Sequence, residues 1–314
     1  MTMVVIRRLL TSIVLIFVST VTIFVLMSFV PGDAAQAILG ENATPQSVAY
    51  LRQQLGLDQP LWTQYANWVV GLLHGDLGTS IYSGEPVTRL LTTRLGVTFS
   101  LMVGSTLVIA VLGVIIGLAS ALREGWSGRL IDAFSLVGFA LPSFWIAIVL
   151  VAVFAVALRW FPATGYVPPA AGVGAWINSL ILPVAAMSLS GITVVAKQMR
   201  DSARTELERD YVRVLRSTGV SETRIVLLHV LRNASIPTTT IIGLMAVGAL
   251  SGAVFIENVF VLPGLGSLVT SAATRHDLPV ILGVGVAFTV MVIAINLVVD
   301  LAYSSLDPRV RQSR

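Results

Sequence analysis

The residues able to do chemistry in this 314-residue chain are few, and the densest group of them is a run of arginines in one segment. Eight of the 20 basic residues fall between Lys197 and Pro237: Lys197, Arg200, Arg204, Arg209, Arg213, Arg216, Arg224 and Arg232. Interleaved with Glu206, Asp210 and Glu222, such a cluster offers ion pairing and a charged grip on another molecule, not bond making. The groups that make bonds are missing or scattered. There is no cysteine, so disulfides, thiolate chemistry and Cys-ligated metals are excluded. His74, His229 and His276 lie far apart and no HExxH occurs, which argues against a zinc protease. No GxSxG is present, and a nucleophile at Ser190 would need a histidine at membrane depth, where none falls. The only lysine, Lys197, lies outside any GxxxxGK[ST] phosphate loop, so the chain cannot hold ATP through a Walker A motif. No catalytic, cofactor-binding or metal-ligating set is expected. If ATP drives the work, a different subunit binds it.

The elements that position the cluster follow from composition. With 55% hydrophobic and 11% charged residues, the chain is far from the usual soluble balance, in which charged residues make up about a quarter. Its apolar residues collect in uncharged runs near bilayer length, the signature of membrane helices. We expect an all-α polytopic membrane protein with six spans at 9–30, 97–122, 131–158, 179–196, 235–256 and 279–301. The first run follows Arg7 and Arg8, is long for a signal sequence and ends without a small-x-small site, so it reads as a span. Lys and Arg then orient the chain. With the N-terminus inside, inner segments hold 15 of the 20 basic residues and outer loops five, which places both termini and Lys197–Pro237 in the cytoplasm. The net charge of +4 does not point to nucleic acid, because the basic residues sit at membrane boundaries. The expected division is 1–93 for the first span plus an outer loop, 94–303 for the main membrane domain and 304–314 for a cytoplasmic tail.

Within Lys197–Pro237 the pattern predicts two short helices around Gly219. Leu207, Tyr211, Val214 and Leu215 share one face of the first, and Arg209, Arg213 and Arg216 another. Glu206 and Asp210 stand three residues before Arg209 and Arg213, so i,i+3 ion pairs are available. Gly219 is placed to end this helix as a C′ glycine. Ser221 is placed to cap the next, with Glu222 at its positive end and Ile225, Val226, Leu228 and Leu231 as its apolar face. A loop obeying only the positive-inside rule explains the arginines, but not two amphipathic helices and a glycine break.

The long outer loop between spans 1 and 2 is expected to be partly helical. Thr44-Pro45 reads as an N-cap followed by Pro at the first helical position. Leu61, Trp62, Tyr65, Trp68, Val69, Leu72 and Leu73 repeat at helical spacing, and residues 75–80 read as a turn. Asp33, Trp62, Trp68, Gly75, Asp76 and Gly78 are the residues a docking or gating role would use; a passive cover over the helix ends accounts for the loop equally well. The span centres lack Asp, Glu, Lys, Arg and His, which weakens an ion-coupled carrier, since such carriers keep ionisable groups at mid-membrane. Gly113 with Gly117, and Gly248 with Gly252, form GxxxG pairs suited to close packing within the chain.

Several of these stretches resemble one family. Arg209-Asp-Tyr-Val-Arg-Val-Leu-Arg-Ser-Thr-Gly219, Arg224 to Ala234 and Pro237 resemble the EAA loop of ATP-binding cassette importer permeases, in the dipeptide, oligopeptide and nickel branch. Gln54 to Leu61, Gly75 to Ser80, Phe161 to Tyr166, Glu257 to Gly266 and Asp300 to Arg311 are similar to that branch in order, so the resemblance covers nearly the whole chain. Departures are local. Arg213-Val214-Leu215 stands where the general motif has Glu-Ala-Ala, and Leu215-Arg-Ser-Thr-Gly219 where the peptide branch has Ala-Arg-Ala-Lys-Gly.

The resemblance implies a type I ABC importer permease fold and half of a membrane pathway for di- or oligopeptides. It implies a homologous second permease, two cytoplasmic ATP-binding subunits that hold ATP and Mg, an extracytoplasmic substrate-binding protein, and a lipid setting in a prokaryotic inner membrane. The ATPase-coupling residues it implies are Arg209, Asp210, Tyr211, Arg213, Leu215, Arg216, Gly219, Arg224, His229, Leu231 and Arg232. Nickel, haem, glutathione or oligosaccharide are alternative cargoes. A secondary transporter or channel without ATPase partners is the alternative from another class.

Overall fold

The computed structural model describes residues 2–30, 32, 34–40, 43–123 and 141–306. Helices account for most of them: α1 Thr2–Ser28, α2 Ala34–Leu39, α3 Pro45–Gln54, α4 Leu61–Leu73, α5 Val87–Ala121, α6 Ser143–Leu150, α7 Val173–Leu207, α8 Asp210–Ser217, α9 Glu222–Ile225, α10 Leu231–Val259, α11 Leu265–Thr274 and α12 Leu278–Leu306. Five helical stretches among the described residues are long and apolar enough to cross a bilayer: Thr11–Ser28, Val87–Ala121, Val173–Leu207, Glu222–Val259 and Leu278–Ala302. The remaining span was expected at 131–158. Residues 131–140 of it lie outside the described residues, and the rest forms a shorter apolar helix, Ser143–Ala157, whose second half is wound as a π-helix.

Two compact units divide the chain: Met1–Thr98 with Pro263–Ile293, and Phe99–Leu262 with Ala294–Arg314. In the first, Tyr65 of α4 packs edge-on against Phe17 and Phe24 of α1, with ring centroids 6.4 and 5.3 Å away. The Tyr65 hydroxyl also lies 3.0 Å from Thr20 Oγ1. Helix α3 starts at a reciprocal capping box: Ser47 N donates to Thr44 Oγ1 and Thr44 N to Ser47 Oγ, with Pro45 in the first turn.

In the second unit α10 packs along α7, and α6 packs on both. Gly113 and Gly117 of α5 face α7. A Cβ on Gly117 would sit 2.4 Å from the Ala196 carbonyl oxygen, so this GxxxG is a close helix contact inside the chain. Gly248 and Gly252 are not of that kind; a Cβ at Gly248 meets nothing within 4 Å, and one at Gly252 only Ser143 Oγ at 3.9 Å.

The charged loop differs from its expected form. Helix α7 does not stop at residue 196 but runs unbroken to Leu207. Its inward positions Val195, Met199 and Ala203 stay buried beyond the apolar run, so the amphipathic pattern carries the helix into the charged segment. Pro237 lies inside α10. Of the two short helices expected around Gly219, only α8 is free-standing. The second is the opening of the continuous stretch Glu222–Val259.

Candidate functional site

The loop is built on a turn that glycine makes possible. Helix α8 closes with Gly219 at φ +81°, Gly219 N donating to Arg216 O and Val220 N to Leu215 O, both at 3.1 Å. This is a Schellman closure, in which the left-handed C′ position favours glycine. Arg216 reaches across the turn and grips Glu222 with both ends of its guanidinium, at 3.0 and 2.6 Å. The pairing lowers the Glu222 carboxyl below its usual range and raises Arg216. Ser221 occupies the N-cap position of α9 without a side-chain capping bond.

Beneath the turn lies an apolar cluster of Ala121, Met199, Ala203, Val212, Ile225, Val230 and Ala234, with Tyr211, Leu215 and Leu231 packed against it. Two expected positions are replaced. Val214 is 59% exposed, and Val212 takes its place at 0%. Leu228 is exposed and Val230 buried, because Val226–Val230 forms a π-turn. That turn puts residues five apart, Ile225 and Val230, on one face. The face of α8 left outward is Asp210, Arg213, Val214 and Ser217, at i, i+3, i+4 and i+7.

The anchoring acid is Glu206, 7% exposed near the end of α7. It receives Arg209 Nε at 3.0 Å, the Tyr211 hydroxyl at 2.9 Å and Asn233 Nδ2 at 3.3 Å. Three elements therefore meet on one carboxylate: α7, α8 and the start of α10. Burial is the first cause that raises the Tyr211 hydroxyl above its ordinary value, with the carboxylate beside it adding to the shift. The pairing of Asp210 with Arg213 is present at 3.3 Å, between two exposed side chains. Arg224 and Arg232 are exposed and His229 is half-buried. Sequence reasoning missed Asn233, Val212 and the hub role of Glu206. The signal for Glu206 was its place on the buried face of α7, three residues beyond Ala203.

In the segment between α1 and α5, Trp68 is half-buried, stacked 6.2 Å from Tyr65, and donates from Nε1 to Leu77 O at 3.3 Å. Trp62 is 76% exposed. Gly75 and Gly78 take φ of +81° and +84°, and Asp76 Oδ1 accepts from Gly78 N at 2.8 Å. Asp33 lies outside the described residues. The turn is held by a residue the sequence did not single out. Buried Asp277 accepts from the Ser80 hydroxyl, from Ile81 N at 3.1 Å and from Tyr82 N at 3.5 Å. The Arg275 guanidinium lies 3.9 Å over the Tyr82 ring. These contacts tie the segment between α1 and α5 to the turn between α11 and α12.

Comparison with known proteins matches both halves. Residues 109–312 match the model of the binding-protein-dependent transport system inner membrane component, and residues 1–102 match the N-terminal component of the same transport systems. A peptide transport system permease protein of Brucella abortus is 38% identical over 312 residues, covering 99% of each chain. A peptide ABC transporter permease protein of Sinorhizobium fredii is 38% identical over 98% of each. A glutathione transport system permease protein of Salmonella typhimurium is 37% identical over 98% of each.

Proposed function

This chain belongs to the family of binding-protein-dependent transport system inner membrane components, and from that premise we propose that it forms half of the membrane pathway of an ATP-binding cassette peptide importer. The observation that carries the reading is the anchored helix α8. Its inner face is buried in a cluster shared by the ends of α5, α7 and the stretch Glu222–Val259, while Asp210, Arg213, Val214 and Ser217 are displayed outward. A partner that pushes on such a knob moves the spans it rests on. ATP and Mg are held by two ATPase subunits, since no phosphate loop exists in this chain. A second permease completes the pathway, and an extracytoplasmic binding protein delivers cargo. Peptide is the favoured cargo because full-length relatives are named for peptide and for glutathione, itself a tripeptide.

The excess of Lys and Arg in the segments assigned to the inside supports an inner-membrane setting with both termini cytoplasmic. Cysteines introduced at Ser83 and Ser221 test this: an impermeant reagent added outside labels only the first, and the reverse pattern overturns the orientation. Insertion of residues at Gly219 tests the coupling. In the reconstituted importer, ATP hydrolysis persists while uptake is lost and the complex remains assembled. Normal uptake in that variant defeats the assignment, and uptake by this chain alone in liposomes returns the secondary-transporter reading.

A further inference from the structure

Helix α4 carries no charged residue in its 13, and one of its faces stays exposed along its whole length. Tyr65 and Trp68 turn toward α1 and the turn at residue 77. Trp62, Ala66, Val70 and Leu73 are all exposed. They recur at i, i+4, i+8 and i+11, so they form one stripe along the helix. A soluble loop helix would carry charge on such a face; here it carries an indole, a methyl, a valine and a leucine.

Beside this stripe, α1 and α4 leave an open apolar groove of 230 Å³, between Val21, Phe24 and Val25 on one wall and Leu61, Trp62 and Tyr65 on the other. The α1 wall belongs to a span whose neighbouring side chains Leu26 and Phe29 are exposed. The apolar surface of the span thus continues into the groove and onto Trp62, and the one hydroxyl that lines the groove, Ser28, is turned back onto the Val25 carbonyl of its own helix. An amphipathic helix with a Trp-bearing apolar face favours the boundary between headgroups and acyl chains, where an indole is apolar over its body and polar at its N–H.

We propose that α4 is an interfacial helix of the outer leaflet, with Trp62, Ala66, Val70 and Leu73 in contact with phospholipid and an acyl chain lying in the groove beside α1. Lipid is favoured over a soluble protein by the continuity with a membrane span and by the absence of any charge on the helix to specify a protein surface. On this reading the outer loop is held at membrane level, and Trp62 is an anchor and not a contact for the binding protein.

The chain has no native cysteine, so single spin labels report cleanly. Labels at Trp62→Cys, Val70→Cys and Leu73→Cys, with Asn67→Cys as the control off the stripe, are placed in the full importer in phospholipid nanodiscs. Collision with oxygen and with a water-soluble nickel chelate is measured for each. Lipid contact makes the three stripe positions accessible to oxygen and shielded from nickel, with Asn67 reversed. Nickel access at all four positions overturns the proposal in favour of a water-facing helix. Shielding from both reagents overturns it in favour of a protein partner; if that shielding appears only when the binding protein is added, the binding protein is the occupant. Three separate stripe positions keep the test decisive if one variant fails to fold.

Discussion

Replacing Glu206 by alanine separates a clamped coupling helix from a merely adjacent one. The carboxylate accepts three donors. The Arg209 pair involves a side chain 59% exposed, so it is worth about 0–1 kcal/mol. The hydroxyl of Tyr211 and the amide of Asn233 donate to a buried charged group, and such bonds run to about 1.5–3 kcal/mol each. Part of this is spared, because Asn233 Nδ2 also donates to the Tyr211 oxygen at 3.3 Å and keeps that partner, and Asn233 is open to water. A net loss of about 2–3 kcal/mol follows, or about 30- to 150-fold in the equilibrium between docked and undocked α8. Glutamine keeps one acceptor oxygen and is expected to lose about 1 kcal/mol.

Hydrogen exchange on the assembled importer reads this directly. Amides that close α8, at Thr218, Gly219 and Val220, exchange faster by about that factor in Glu206→Ala. They exchange only a few-fold faster in Glu206→Gln, and amides within the spans stay unchanged in both. Uptake falls with the docked population while ATP hydrolysis continues. Unchanged exchange at residues 218–220 in the alanine variant would falsify the clamp. An equal rise throughout the spans would mean that Glu206 supports the whole unit instead of α8.

Three further outcomes are expected. Asp277→Asn puts an amide N–H₂ where the carboxylate receives Ser80, Ile81 and Tyr82; one buried donor is orphaned at a cost of about 1–3 kcal/mol, seen as a lower thermal midpoint, and an unchanged midpoint refutes the tie. Val261 holds a φ of +53° with its side chain 66% exposed, at a C′ position where Leu262 N donates to Glu257 O at 2.8 Å. Left-handed strain of about 1–2 kcal/mol outweighs the roughly 0.5–1 kcal/mol entropic penalty of glycine, so Val261→Gly raises the midpoint, and a lower one refutes the strain argument. The Arg216–Glu222 pair depresses the folded carboxyl below its ordinary value. Its contribution is therefore present above that value and fades as pH falls through the lower folded one. An environment-sensitive label on Ser217→Cys reports the acid transition, which should vanish in Glu222→Gln; persistence there assigns it to another group.

Much of the site was legible because short-range rules govern it. Gly219 as a C′ residue, Glu206 before Arg209 and Asp210 before Arg213 are matters of three-residue spacing and of one backbone angle. What the spacing could not reveal came from two other causes, one local and one long-range. The π-turn at Val226–Val230 adds a residue to one turn and moves burial from Leu228 to Val230, a shift invisible to a 3.6-residue period. The Asp277 tie joins residues almost 200 positions apart, 197 for Ser80, and no local pattern carries such a pairing. The end of α7 was misplaced for a third reason. A hydropathy run marks where lipid ends, whereas the helix ends where its amphipathic face ends, at Leu207.

That last difference bears on mechanism. Helix α7 has 35 residues, about 52 Å at 1.5 Å per residue, against a hydrocarbon core about 30 Å thick. Roughly 20 Å of continuous helix is therefore left beyond the core, and the anchors of α8 lie at its charged end: Met199, Ala203 and Glu206. The same holds for Glu222–Val259, 38 residues long, which brings Ile225, Val230 and Asn233 to the same cluster. A flexible loop would absorb a push from an ATPase. Two rigid overhangs clasped by Glu206 instead turn displacement of α8 into tilt of both spans at once. On the proposed coupling role, transport depends less on which outward side chain the partner touches than on whether the clasp holds, so alanine at exposed Arg213 should cost less transport than alanine at buried Glu206. Uptake measured side by side in the two variants decides it, and a larger loss at Arg213 would place the coupling in the contact itself.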